Sequence, residues 1–184
     1  MIVRVFFRIF LLAFGLQTLS IAATYAGDNS VILTITGEVS APNRGGYDPD
    51  TDKFLGFFEI EFDRAKTFSL IELQALAAVT VKADFPKGRL VHSFTGPLLA
   101  DVLAAAGATG KEVTVQALDG YAVATPMADM IANGAVVAYA RDGKMFGIGD
   151  FGPTQIVFPR AQRDDLADMS DDNWIWSIFH IHVE

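Results

Sequence analysis

The sequence predicts an α+β domain that is rich in strands and carries two or three short helices at its margins. Three observations support this fold class. Apolar and polar residues alternate over 31–39 and 112–118, which is the period of a half-buried strand. Asp-Gly pairs at 119–120 and 142–143 predict tight hairpin turns. One apolar stripe with helical spacing ends at Gly107, a residue suited to the left-handed conformation of a helix C-terminus.

The first half of the chain is expected to contain strands, one polar loop and one capped helix. Residues 41–52 are rich in Pro, Gly and Asp and predict the loop. Ser69 and Glu72 form the pattern of a capping box and predict a helix start. Runs of apolar and β-branched residues predict the strands 31–39, 57–62, 79–83 and 90–94.

The second half is expected to contain a hairpin, two helices and three closing strands. Pro97 stands at a predicted first helical turn, and the apolar stripe Leu98, Leu99, Val102 and Leu103 follows it. Another helix is predicted from Pro126 to Ile131, before Asn133-Gly134. The predicted strands are 112–118 and 121–125, which form the hairpin, then 135–140, 155–158 and 175–183.

The N-terminus has the pattern of a cleavable signal peptide. Arg4 and Arg8 precede the uncharged apolar run 9–16, and small residues follow up to Ala26. We expect cleavage after Ala26, which separates a signal peptide, 1–26, from a mature domain, 27–184. The alternative is a retained anchor, but the apolar run is shorter than the ~20 residues that span a bilayer. No stable membrane insertion is therefore expected after cleavage.

The signal lacks the adjacent arginine pair of the twin-arginine route, so export is expected in the unfolded state and the location to be periplasmic or secreted. The chain has 22 acidic and 14 basic residues, and loss of Arg4 and Arg8 would lower its net charge from −8 to −10. With this charge we expect neither nucleic acid nor an anionic membrane surface as a partner. The absence of cysteine excludes disulfides, thiolate catalysis and thiolate metal ligation.

Three segments carry a resemblance to a known family. They are residues 94–103 with Gly107, residues 117–123 with their Asp-Gly-Tyr sequence, and residues 138–159 with Gly152-Pro153. Over residues 31–184 the chain resembles the molybdopterin-binding domain of the sulfite oxidase family, and specifically its short exported bacterial relatives. The resemblance implies that family's fold and a pocket near Asp119, Tyr121, Arg141 and Pro153.

The family's catalytic residues are incomplete in this chain. In catalytic members a cysteine thiolate binds molybdenum, and basic residues hold the anionic pterin phosphate. The corresponding segment 79–94 has no cysteine, and Gly149, Asp150 and Phe151 replace the basic residues before Gly-Pro. An acidic residue there would repel a phosphate. The missing cysteine and the missing twin-arginine signal thus argue against molybdopterin as a cofactor.

Two spacings are compatible with metal ions. His180, His182 and Glu184 would share one face of a strand and could bind a metal, or they could form a polar outer face opposite the core residues Phe179, Ile181 and Val183. The residues Asp48, Asp50, Asp52 and Glu59 match four positions of a calcium loop. Lys53 replaces the glycine that such a loop requires, so a solvated acidic turn is the alternative.

Two further groups are predicted to have structural roles. A mixed-charge surface loop is expected at Arg160, Arg163, Asp164 and Asp165. Trp174 and Trp176 would share a face with the histidines, with at least one tryptophan packed in the core.

Three classes of function remain open from the sequence. The first is a binding module for a small molecule or a periplasmic protein partner, without turnover. The second is an oxidoreductase that binds a molybdenum pterin through oxygen or nitrogen ligands. The third is a zinc- or calcium-binding protein without the family's chemistry.

Overall fold

The computed structural model describes residues 30–184, so the predicted signal peptide lies outside the described residues. The strands are β1 (Val31–Gly37), β2 (Arg44–Gly45), β3 (Arg64–Ser69), β4 (Ala78–Ala83), β5 (His92–Pro97), β6 (Glu112–Ala117), β7 (Ala122–Pro126), β8 (Val136–Ala138), β9 (Ala140–Arg141), β10 (Lys144–Met145), β11 (Gln155–Val157) and β12 (Ile178–Val183). The helices are α1 (Lys53–Phe57), α2 (Leu70–Ala75), α3 (Leu99–Ala106) and α4 (Met127–Ala132).

The strands form three sheets around one main core. The order of the largest sheet is β2-β3-β1-β12-β6-β7, and its β1 and β12 pair in parallel while its other neighbours are antiparallel. A four-stranded sheet has the order β10-β9-β5-β4, and β11 pairs with β8. The α+β, strand-rich fold class is confirmed, with four short α-helices in residues 30–184 where two or three were expected.

Local sequence signals account for the clearest elements. Ser69 and Glu72 form the predicted capping box at the start of α2. Gly107 ends α3 with a φ of 62°. Gly96 lies so close to the Val137 backbone that a β-carbon would collide with it, which explains why β5 carries glycine there.

The predicted strand 57–62 is wrong. The chain forms α1 at Lys53–Phe57 and then a turn, and the rings of Phe54 and Phe58 lie 5.2 Å apart. These aromatic residues are four apart and share a helical face, a period hidden by the dense apolar run. Together α1 and this turn bury Leu55 and Ile60 against Phe179 as a second, small core.

Other boundaries also shift. Strand β3 was not predicted, because its buried positions include Ala65 and Thr67 and its apolar alternation is weak. Strand β5 begins at His92, two residues after the predicted start, and Leu90 and Val91 are exposed. Within residues 30–184, no helix is both long and apolar enough to cross a membrane.

Candidate functional site

A cavity of about 430 Å³ lies where three segments of the chain meet. These are the turn between β6 and β7, the segment after β4, and the segment before β12. Its walls combine aromatic and acidic side chains. The aromatic residues are Phe85, Tyr121, Trp174 and Trp176, and the acidic residues are Asp119, Asp171 and Asp172.

The β6–β7 turn places Asp119 and Tyr121 on the cavity wall. The Tyr121 amide donates a hydrogen bond to Asp119 Oδ1 at 3.0 Å, which closes the turn locally. The Tyr121 hydroxyl lies 3.4 Å from the carbonyl oxygen of Asp172 and donates to it across the cavity wall. The turn is thereby linked to the segment before β12.

The aromatic walls are built by ring contacts. Phe85 stacks on Trp174 with centroids 5.5 Å apart and an interplanar angle of 5°. Phe151 contacts both Phe85 and Trp176 edge-on, at 5.8 and 6.3 Å. Trp174 is fully buried whereas Trp176 is 41% exposed, so the cavity has a fixed inner wall and an accessible rim.

Arg160 is buried behind the cavity and holds two of its segments together. Its guanidinium donates to Asp84 Oδ1 and to Asp171 Oδ1, both at 2.7 Å, and to the carbonyl oxygens of Asp84 and Met169. It also lies 4.4 Å from the Trp174 ring centroid. Arg160 is 4% exposed, so the prediction that it belongs to a solvated loop is wrong. A run of charged residues in sequence does not reveal that one of them points inward.

The charges around the cavity are unevenly balanced. Burial would raise the pKa of Asp84, but hydrogen bonds from the Gly88 amide and Arg160 keep this pKa below its usual value. Asp171 also pairs with Arg160. By contrast, Asp119 and Asp172 form no ion pair with any residue of the described chain, and no lining residue is basic. The cavity therefore presents uncompensated negative charge.

The four residues of the predicted pocket line three separate cavities. Asp119 and Tyr121 line the cavity just described. Pro153 lines a separate apolar cavity of about 340 Å³ beside α1. Arg141 stacks over the Phe151 ring, 4.8 Å from its centroid, and lines a third cavity of about 220 Å³. The four residues therefore do not form one pocket.

His180 and His182 turn toward the same hydroxyl group. Thr36 Oγ1 lies 2.8 Å from His180 Nε2 and 2.9 Å from His182 Nδ1. His180 Nδ1 lies 3.4 Å from Gln116 Oε1, an acceptor for a proton on this nitrogen. In the tautomer with that proton, Thr36 can donate to His180 Nε2 and accept from His182 Nδ1–H. Burial, with a smaller effect of charge on His182, lowers the pKa of His180 to about 4.

The C-terminal strand also departs from simple alternation. Its register against β6 shifts between Ile178 and His180. Phe179 packs in the small core beside α1, whereas Ile181 and Val183 pack in the main core. The expectation that these three residues share one core face is therefore wrong, because the irregularity redirects the strand. Of the two tryptophans, Trp174 packs in the core, as expected for at least one of them.

The metal predictions receive no support from the geometry. His182 Nε2 lies 3.4 Å from Glu184 Oε1, but His180 is directed at Thr36. In the acidic loop, Asp52 accepts from Arg44 at 2.6 Å and Asp48 accepts from the Asp50 amide. No group of three or more His, Asp or Glu side chains in residues 30–184 is arranged to hold a metal ion.

The cavity does not fit a molybdenum pterin. The chain has no cysteine to supply the thiolate ligand. The cavity walls carry three aspartates and no basic residue for the pterin phosphate, and Arg160 is already bound to Asp84 and Asp171. The negative charge of these aspartates would repel the pterin phosphate.

Comparisons with known proteins establish the fold alone. No family model matches the chain, and no curated protein matches it. Among solved structures, it is similar to the sulfane dehydrogenase SoxCD from Paracoccus pantotrophus, with a TM-score of 0.54 and 14% sequence identity. The fold is sulfite oxidase-like. The alignment covers 82% of this chain and 37% of the SoxCD chain.

The structure adds residues that sequence reasoning did not place in the pocket. Phe85, Asp171 and Asp172 line the cavity, and Arg160 supports it from behind. The one available signal was the short distance along the chain from the acidic pair 171–172 to Trp174 and Trp176. Phe85 gave no signal, because its position depends on packing against Phe151 and Trp174, which are distant in sequence.

Proposed function

We propose that the protein is an exported, non-catalytic binding module that holds a small ligand, or a side chain of a periplasmic partner, in the aromatic and acidic cavity. The observation that carries this proposal is the composition of the cavity wall: four aromatic rings and three carboxylates, with no basic residue. A concave site with aromatic walls and a few polar groups is typical of ligand binding.

Three features argue for binding without turnover. The chain contains no thiol. The buried histidine, His180, lies in the large sheet and is hydrogen-bonded to Thr36, outside the set of residues that line the cavity. We find no nucleophile and base within hydrogen-bond reach of each other among the lining residues, which is the arrangement that covalent catalysis requires.

The alternative is an oxidoreductase that binds a molybdenum pterin without a cysteine ligand. The similarity of the fold to a sulfane dehydrogenase favours this alternative. The unfavourable charge of the cavity opposes it. A role as a zinc or calcium protein is less well supported, because its candidate ligands are hydrogen-bonded within the protein.

The test begins with the export of the full chain. We expect osmotic shock of expressing cells to release a shortened protein that starts near residue 27. The purified protein is then assayed for molybdenum and pterin, with a molybdoenzyme from the same host as the positive control. We expect neither in stoichiometric amount. Stoichiometric molybdenum would replace the binding-module proposal with the oxidoreductase, and stoichiometric calcium or zinc would favour the metal protein.

A further inference from the structure

We infer that the ligand of the cavity is a small organic cation, of the alkylated ammonium class. The inference rests on the proposed function and names its ligand chemistry. Its basis is the combination, on one cavity wall, of two carboxylates without a cationic partner and two aromatic side chains that are partly exposed.

The negative charge of the cavity is available to a ligand. Asp171 is already paired with Arg160, with 2.7 Å between Nη1 and Oδ1. Asp119 accepts from the Tyr121 amide and Asp172 from the Ser170 hydroxyl, and both of these donors are neutral. Two carboxylates beside the cavity therefore have no cationic partner in residues 30–184. An anionic ligand would be repelled, while a cation would be attracted.

The aromatic rings supply the second half of the site. Tyr121 and Trp176 are 52% and 41% exposed, whereas Phe85 and Trp174 form the buried wall behind them. Electron-rich ring faces attract cations, and several rings around one volume are the usual receptor for quaternary ammonium groups. A hydrated metal ion would gain little from such walls, because it requires oxygen ligands.

The size of the cavity agrees with a ligand of this class. Its volume of about 430 Å³ lies toward the lower end of the range for small-molecule sites, roughly 300–1,000 Å³. The volume suits a compact cation with a few carbon substituents. Contact between the alkyl groups of such a ligand and the aromatic rings also buries apolar surface. A bare ammonium ion has no alkyl groups to bury.

The experiment compares choline with 3,3-dimethylbutan-1-ol, a neutral molecule of the same shape in which carbon replaces the charged nitrogen. Binding is followed by calorimetry and by tryptophan fluorescence on the exported full-length domain. We expect saturable choline binding at least about tenfold tighter than binding of the neutral analogue. Sodium sulfite serves as the anionic probe and is expected not to bind.

Variants locate the binding. Asp119→Asn and Asp172→Asn should each weaken choline binding by about three- to tenfold, and Trp176→Ala by about three- to thirtyfold. Asp129→Asn on α4 makes the same change of charge away from the cavity wall and should leave affinity unchanged. Trp176→Phe keeps a ring and should retain most of the affinity. Melting curves verify that each variant is folded.

Each outcome decides between the two proposals. If choline and its neutral analogue bind equally and Trp176→Ala weakens both, the cation inference is wrong while the cavity remains a ligand site. The same holds if sulfite binds and choline does not. If no probe binds by about 10 mM, both the cation inference and the assignment of the cavity as a small-ligand site are overturned.

Discussion

The histidine cluster of the large sheet and the cavity beside its edge make opposite use of polar side chains. His180 and His182 share the Thr36 hydroxyl, and His180 also approaches Gln116. In the cavity, Asp119 and Asp172 meet only neutral donors. The histidines thus complete their hydrogen bonds inside the protein, whereas the cavity carboxylates keep charge that a ligand can neutralise.

This difference teaches how to distinguish structural from binding residues in a chain with few chemical motifs. The two-residue spacing of the histidines was the more conspicuous sequence pattern. Each ring is nevertheless hydrogen-bonded to a side chain of the same sheet. The cavity residues come from segments far apart in sequence and form no motif. A carboxylate without a cationic partner in an accessible cavity is therefore a better indicator of binding here than the spacing of the histidines.

The largest expected effect comes from the support of the cavity. Arg160→Ala should lower the free energy of unfolding by about 3–5 kcal/mol, because it leaves the partly buried Asp84 and Asp171 without their cation. Urea denaturation measures this change. The control is Arg163→Ala, which removes a more exposed pair with Asp165 and should cost about 1 kcal/mol or less. Equal losses in both variants would contradict the supporting role of Arg160.

The second effect concerns the histidine cluster. The pKa of His180 is lowered in the folded state to about 4, so the unfolded chain binds its proton first as pH falls. The contribution of His180 to the free energy of unfolding is at its full value above pH 6.5. It decreases as the pH falls toward 4, by about 3 kcal/mol in total.

Unfolding measured at several pH values checks this prediction. His180→Gln should flatten the loss of stability between pH 6.5 and 5, whereas His92→Gln, at a more exposed site paired with Asp142, should retain it. An unchanged pH profile in the His180 variant would show that the ring is not held neutral by burial.

A smaller effect is expected at Gln155. Its side chain is fully buried, and neither its Nε2 nor its Oε1 has a partner in the described residues. Gln155→Met keeps the length of the side chain and removes both polar atoms, so stability should rise by about 1 kcal/mol. Thermal melting measures the change, with the exposed Gln74→Met as the control. A loss of stability would mean that Gln155 has a partner, such as a buried water.

The smallest effect should come from the rim of the cavity. Asp119→Asn and Trp176→Ala are expected to change the free energy of unfolding by less than about 0.5 and 1 kcal/mol respectively, since both residues are exposed. Their effect on ligand affinity should be larger than their effect on stability. Substantial unfolding of either variant would assign the rim a structural role instead.

Sequence reasoning predicted the elements whose signals are local. The alternation at β1 and β6, the capping box of α2 and Gly107 after α3 depend on neighbours within a few residues. The helix α1 was missed because its dense apolar residues fit more than one period. These local signals and the family resemblance were sufficient for the fold class.

The site was predictable only in part. Asp119 and Tyr121, both named from the sequence, line the same cavity because they occupy one turn. Pro153 and Arg141 were grouped with them by resemblance, but they line other surfaces. Arg160 belongs to a charged run in the sequence. Its own burial depends on pairing with Asp84, 76 residues earlier in the chain. Such long-range pairing leaves no local pattern.

The most direct test of the account follows both regions in one nuclear magnetic resonance titration with choline. The chain has two tryptophans and three histidines, so few side-chain signals need assignment. We predict that the Trp176 indole signal shifts in a saturable manner and that the His180 and His182 ring signals do not move. Shifts of the imidazole signals with unmoved indoles would place ligand binding in the sheet and contradict the account.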